Sequence, residues 1–448
     1  MERVDVAVIG AGSVGIAVAY YLVRENGVRD VALIDSRDPM SLTSAQSGEN
    51  YRNWWPHPVM TAFTDHSISL MEDLDSASGG RLHMRRGGYA LATRRERPED
   101  LIADLYRGYA GSQGKIRIRE SASGYHAPRS RPWQEAPDGV DVLLDRELIG
   151  RTFPAYAPDV ATVIHIRRAG SIDAQQMGSF MLEAIREAGG RVVRDAVTEI
   201  SRDAAPFTLH LARSGALRAG RIVNAAGPFI GDIAAMLGES LPVKCVFQQK
   251  IAFADIERAV PRDMPFTIDL DGQTLAWSEE DRAVLASDAS TRHLVQPMKG
   301  GIHCRPDGPV DGNWIKLGWA YNEAASDPHR EDPIDTQFPD TVVRAASRLN
   351  PSLAAYIGRL PRGTRHYGGY YTMTEENWPL IGAMKTPGAF VAGALSGYGS
   401  MAACATGAIA AAWIAGREIP AYARDFGLER QGNASLLAEL ATLSKGTL

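Results

Sequence analysis

Cysteine is scarce. Three occur among 448 residues, Cys245, Cys304 and Cys404, far apart, odd in number and without a CxxC or histidine-rich spacing beside them. That excludes a disulfide framework, argues against a structural zinc or other metal site, and fits a reducing cytoplasm. Charge of one sign is also lacking. The net charge is −5, with no long basic run, so neither nucleic acid nor an anionic membrane surface is an expected partner. Only one apolar run, residues 389–416, is long enough to span a bilayer. SGYGS interrupts it, and the small residues of its second half suit a helix packed tightly inside a protein, so no membrane span is expected. The chain opens MERVDVAVIGAG, with Asp5 inside what would have to be an apolar signal segment, and secretion is not indicated. Hydrophobic and charged residues, 45% and 23%, are ordinary for a globular chain with core for two or three domains.

The first stretch with chemical content is VDVAVIGAGSVGIAVAYYLVRENGVRDVALIDS. It reads as a buried strand, a glycine turn, a helix and a second buried strand. In Gly10-Ala-Gly12-Ser13-Val14-Gly15 each glycine has its own task. Gly10 permits the turn, Gly12 lets the backbone approach a pyrophosphate, and Gly15 lets helix and strand pack closely. The phosphates would then lie at the positive end of the helix. Asp35, followed by Ser36, ends the second strand and is placed to accept hydrogen bonds from a ribose. Dinucleotide binding follows; the motif alone leaves FAD and NAD open.

After the second strand comes DSRDPMSLTSAQSGENYR, and here the chain resembles the FAD-dependent D-amino-acid oxidase superfamily, in its glycine oxidase, sarcosine oxidase and dimethylglycine dehydrogenase branch. Thr43, Ser44, Gln46, Ser47 and Gly48 match the family loop that passes the FAD pyrophosphate and flavin ring. AGSIDAQQMGSFMLEAIREAGGRV, from Ala169, resembles the family's return strand and helix, and DAVTEI, from Asp195, the strand whose valine backbone, here Val197, meets the adenine. RIVNAAGPFIGDIAAMLG, from Arg221, resembles a second FAD segment, in which Ala226 and Gly227 are small enough for close approach. YYTMTEENWPLIG and GALSGYGSMAACATG, from Tyr370 onward, resemble the C-terminal flavin clamp and nominate Gly393, Gly397, Tyr398, Gly399, Ser400 and Met401.

The resemblance implies an α/β fold: a Rossmann-like FAD-binding domain of the glutathione-reductase type with an inserted mixed β-sheet substrate domain. Mapped here, the FAD domain would be discontinuous, residues 1–82, 170–240 and 362–448, and the substrate domain would be 83–169 and 241–361. The polar stretch 94–141 reads as a solvated excursion, a lid or an oligomer contact. A homo-oligomer is compatible with this.

Oxidising an amine beside a carboxylate needs a held carboxylate, an aimed α-carbon and excluded water, because the flavin takes the hydride. A cation, aromatics and a hydroxyl are therefore the expected site residues. The crowded SGENYRNWWPHP supplies Arg52, where the sarcosine oxidase branch carries an arginine close to the flavin, with Tyr51, Trp54 and Trp55 as pocket walls. Tyr371 resembles the family tyrosine over the flavin face. Lys250, His303 and Arg305 lie on strands that could face the pocket, and Arg52, Tyr371 and Lys250 are the catalytic candidates. Relatives that attach FAD covalently use a cysteine or a histidine where this chain has Gly369 and Tyr370, or Ala45 and Gln46, so the FAD is expected to be noncovalent.

The resulting expectation is oxidation of a C–N bond in a secondary amine or amino acid bearing a carboxylate. An N-substituted glycine or N-methyl amino acid bulkier than glycine would give an imine that water hydrolyses, with molecular oxygen as acceptor and the enzyme an oxidase rather than a dehydrogenase. The alternatives are an FAD-dependent 2-hydroxy-acid or glycerol-phosphate oxidoreductase and a flavoprotein electron-transfer component.

Overall fold

The computed structural model describes residues 2–110, 112–129, 131–201 and 206–446; the few remaining positions of the expected segments lie outside the described residues. The opening motif folds as read. Strand β1 (Glu2–Ile9) runs into helix α1 (Ser13–Arg24) and strand β2 (Val31–Asp35), with β1 and β2 parallel. Gly10 has φ +109°, and a Cβ there would stand 2.2 Å from the Ala225 carbonyl oxygen. That backbone conformation and that clearance demand glycine.

Two large sheets organise the chain. The first has eight strands. Strand Gly215–Asn224 lies parallel beside β1, β2 is followed by Arg191–Arg194, and the antiparallel strands Val197–Ser201 and Phe207–Leu211 extend the opposite side. Ala389–Gly393 pairs parallel with the end of Gly215–Asn224 and carries Leu380–Ala383. Alternate residues of β1 enter different cores. Val6 and Val8 pack under the helices, and Ala7 and Ile9 pack on the opposite face, as a strand covered on both sides requires.

Helix Gly399–Ile414 is almost wholly buried among α1 and helix Pro58–Ala77. Its small residues give close approach: a Cβ at Gly407 would fall 2.5 Å from the Ala17 carbonyl carbon. This is the packed role expected of the apolar run, and no helix among the described residues is long and apolar enough to cross a membrane.

The second sheet is mixed and has nine strands. Its order is Arg365–Met373, Lys244–Ala254, Trp314–Trp319, Ile302–Asp307, Phe266–Asp269, Tyr89–Thr93, Thr162–Ile166, Val140–Leu143 and Ile116–Arg119. Strand Arg365–Met373 belongs to it although it lies within residues 362–448. The stretch 94–141 differs from a plain loop: it supplies helix Glu99–Gly108 and the last two strands. The buried Asp141 pairs with Arg117 and Arg119 at 2.8 Å each, which helps an arginine-rich segment pair into a sheet. A short ribbon, Asn50–Arg52 with Ala169–Ser171, lies between the two sheets in sequence and pairs with neither.

Candidate functional site

A cavity of about 500 Å³ opens where the first sheet's parallel strands end. Gly10, Gly12, Asp35, Ser36, Thr43 and Ser44 line one side, and Val197, Ala226 and Gly227 line the other. Gly12 caps α1, so the helix N-terminus borders the space. Ser13, Val14 and Gly15 begin the helix behind it; the Ser13 N–H donates to Ser44 Oγ at 3.0 Å, tying the second loop to the first. Asp35 is held from below, accepting from the Ala11 N–H at 2.7 Å and the Arg37 N–H at 2.9 Å. Thr43 Oγ1, on the wall, is buried without a hydrogen bond among the described residues. An acidic strand end, a helix N-terminus, small residues on the far wall and an orphaned hydroxyl fit the adenosine diphosphate part of a dinucleotide.

Four further residues lie at this cavity that the sequence reading did not single out: Arg37, Phe229, Asp232 and His329. Arg37 lies 5.6 Å from the Phe229 ring centroid, and His329 Nε2 is 2.8 Å from Asp232 Oδ2. His329 comes from the loop after strand Trp314–Trp319, far away in sequence, and no local pattern announces it.

A second, smaller cavity gathers Ser47, Gly397, Tyr398, Ser400 and Met401 from the cofactor expectations with Lys250, His303 and Tyr371 from the pocket expectations. Ser47 Oγ and Ser400 Oγ are 2.7 Å apart and close the two loops on each other. Gly397 faces the Tyr371 ring, where a Cβ would be 2.5 Å from Cε2. Lys250 Nζ is 5.5 Å from the same ring's centroid. Lys250 is 7% exposed, and its ammonium has no ion pair or hydrogen bond among the described residues. Burial, with Lys250 next and Arg305 as a lesser influence, pushes His303 down to about 3, so its imidazole is neutral near pH 7. Tyr89, Phe266 and Glu49 complete the walls without having been anticipated.

The remaining expected residues lie elsewhere. Gln46 backs the Gly369 backbone, Gly393 packs beside Ile230, and Gly399 opens the helix beside Leu395. Arg52 is fully buried, its guanidinium carbon 4.7 Å from the Trp55 ring and 4.9 Å from the Tyr89 ring. It stands behind Tyr89, one ring removed from the second cavity. Tyr51 donates to the Arg85 carbonyl at 2.9 Å. Trp54 packs in the core under helix Glu99–Gly108, and Trp55 meets Tyr398 edge-on at 4.9 Å. Tyr51, Trp54 and Trp55 line neither cavity, since large rings gain most from full burial; Trp55 packs against both the Arg52 guanidinium and the Tyr398 ring. Arg305 lines a neighbouring cleft, paired with Asp307 at 2.9 Å.

A parallel sheet with a dinucleotide cradle, joined to a mixed sheet that carries a polar and aromatic pocket, defines a dinucleotide-dependent oxidoreductase. The family described as DAO, FAD dependent oxidoreductase, matches residues 5–413, and the chain belongs to it; FAD is its cofactor. The chain is 25% identical over 296 residues to human mitochondrial dimethylglycine dehydrogenase, which covers 62% of this chain and 30% of that protein. It therefore spans about a third of that relative's length. Among solved structures, glycine oxidase from Geobacillus kaustophilus superimposes with a TM-score of 0.69 at 18% identity, covering 96% of this chain and 99% of that one. L-proline dehydrogenase from P. horikoshii gives 0.72 at 17% identity, covering 96% and 98%. Both likenesses show the fold.

Proposed function

We propose that this flavoprotein oxidises the C–N bond of a secondary amine or amino acid bearing a carboxylate, an N-substituted glycine or N-methyl amino acid bulkier than glycine. The bond between nitrogen and carbon becomes a C=N bond as the carbon gives up a hydride and the nitrogen a proton. Water then adds to the imine and releases an amine with glyoxylate, another keto acid or an aldehyde. FAD, when bound, accepts the hydride. The division into a cofactor domain and a substrate domain is part of this reading, with strand Arg365–Met373 assigned to the substrate side.

The observation that carries the reading is Lys250. A buried cation without a counter-ion gains most from an anionic ligand beside it, and the substrate carboxylate supplies one. Neutral His303 leaves Lys250 as the positive charge on that wall and does not compete for the anion. Tyr371, Tyr89 and Phe266 exclude water and give the carbon chain an apolar face. The loops joined at Ser47 and Ser400 hold the flavin side, while the 500 Å³ cavity holds the rest of FAD noncovalently. Dioxygen is the proposed acceptor, and the positive charges of Lys250 and of Arg52 behind Tyr89 stabilise the negative charge that develops on oxygen as it is reduced.

The test is anaerobic mixing with N-alkyl glycines, D- and L-amino acids and 2-hydroxy acids while the visible flavin band is followed. Bleaching by an N-substituted glycine or N-methyl amino acid is expected. Bleaching by 2-hydroxy acids alone, or by none of the panel, overturns the reading. Flavin that stays with acid-precipitated protein contradicts the noncovalent assignment. The likeness to dimethylglycine dehydrogenase favours a second reading for the acceptor, a dehydrogenase; oxygen uptake against dye reduction with the same substrate separates the two.

A further inference from the structure

We propose that the cleft beside the second cavity is a subsite for a second anionic group of the substrate, a carboxylate carried on its side chain or N-substituent. This rests on the proposed amine oxidation only in taking the second cavity as the reaction site. The cleft, of about 80 Å³, shares the walls Asn50 and Phe266 with that cavity. Arg85, Arg262 and Arg305 line it, against one acid, Asp263.

The arginines are not equivalent. Arg305, nine-tenths buried, pairs through Nη2 with Asp307 at 2.9 Å and lies 3.7 Å from Glu49; Lys316 bridges the same two acids at 3.2 and 3.3 Å. That foursome is balanced, two cations with two carboxylates. The excess charge is Arg85 and Arg262 against Asp263. Arg262 spends its terminal nitrogens on carbonyls, Trp314 at 2.7 Å and Asp307 and Pro309 at 2.8 Å each. Its Nε–H, like the Nε–H of Arg305, is buried with no acceptor among the described residues. Such an orphaned donor costs about 1–3 kcal/mol until an acceptor arrives. Arg85 lies exposed at the mouth, and its side chain has no hydrogen bond or ion pair among the described residues.

Three guanidinium side chains around one cleft, with Arg85 at its exposed end, form a receptor for a carboxylate. The buried Asn50 Oδ1, also without a partner, stands at the shared wall, where it can accept from a substrate N–H. Burial together with the Arg305 charge holds the Arg262 guanidinium below its usual range, the direction expected where cations crowd without a ligand. A molecule reaching from Lys250 to the arginines thus carries an anion at each end and a nitrogen between them.

The experiment is binding, read as perturbation of the flavin absorbance of the oxidised holoenzyme without turnover. Succinate and glutarate are compared with succinamate and glutaramate, whose distal group is a neutral amide, in the wild type and in Arg85→Gln. The dicarboxylates are expected to bind about tenfold more tightly than the amides, the worth of one charge-assisted hydrogen bond. Arg85→Gln is expected to collapse that ratio, whereas a merely structural role would weaken both ligand classes alike. Equal affinity for the two classes, no perturbation by either, or a ratio that survives in Arg85→Gln overturns the assignment. If the ratio appears while no amine bleaches the flavin, the subsite stands and the amine-oxidation reading falls. If amines with neutral tails bleach it as well as anionic ones, the reverse holds.

Discussion

Lys250 and Arg52 illustrate how one charge can be placed in two ways. Lys250 is largely buried, has no carboxylate partner among the described residues, and faces a tyrosine ring in the second cavity. Arg52 is clamped between Trp55 and Tyr89, and burial holds its guanidinium below the usual range, with Tyr89 opposing the shift. If both stabilise the negative charge developing on oxygen as reduced flavin gives up its electrons, Lys250→Met and Arg52→Met each slow reoxidation in stopped-flow mixing. The expected loss is about a hundredfold, the low end of the effect of removing one preorganised electrostatic group. Lys250→Met is also expected to raise the substrate concentration needed for half-maximal bleaching, since it removes the carboxylate's partner. Rates of reoxidation equal to wild type in both variants would refute the oxygen role. The residue types at these positions were legible in the sequence. Which cation touches the cavity was not, because that depends on whether Tyr89, nearly forty residues later, stands between them.

At the scale of elements, helix Gly399–Ile414 against α1 and the loop bearing His329 are the informative cases. The crossing of helix Gly399–Ile414 with α1 depends on the missing side chain at Gly407, whose Cβ would be 2.5 Å from Ala17 backbone. Gly407→Leu is expected to lower stability in urea unfolding by about 1–3 kcal/mol, the range for overpacking, and to disturb the Ser47–Ser400 contact about two helix turns earlier. The second case is the contact of His329 with Asp232, partly exposed on both sides. His329→Ala is expected to speed FAD loss on dilution about two- to fivefold, as the modest worth of an exposed pair implies; release at the wild-type rate would show that the loop does not retain the cofactor. The apolar helix could be read from its small residues and the glycine break before it. The loop could not: its polar sequence carries no period, and its position follows from the sheet that precedes it.

For the whole molecule, the buried imidazoles link stability to pH. His303 sits near 3 against an ordinary value of 6.5, and burial pushes His165 down as well. Between those limits the unfolded chain binds a proton that the native chain refuses, so stability is full above about pH 6.5 and falls as pH drops toward 3. Urea midpoints at pH 7 and pH 5 are expected to differ in that direction, and His303→Gln to reduce the difference; an unchanged difference in the variant would assign the acid sensitivity to other groups. By itself the sequence determined the dinucleotide cradle, since Gly10, Gly12, Gly15 and Asp35 act through local turn geometry within one strand, turn, helix and strand unit. It also determined the class of the apolar helix and the absence of a disulfide framework. Only the tertiary structure decided that the paired tryptophans are core while Tyr89 is wall, that Arg305 is neutralised by Asp307 and Glu49, and that residues 94–141 lend strands to a sheet. Those outcomes depend on which distant segments become neighbours, and burial, pairing and pKa are properties of neighbours rather than of position along the chain.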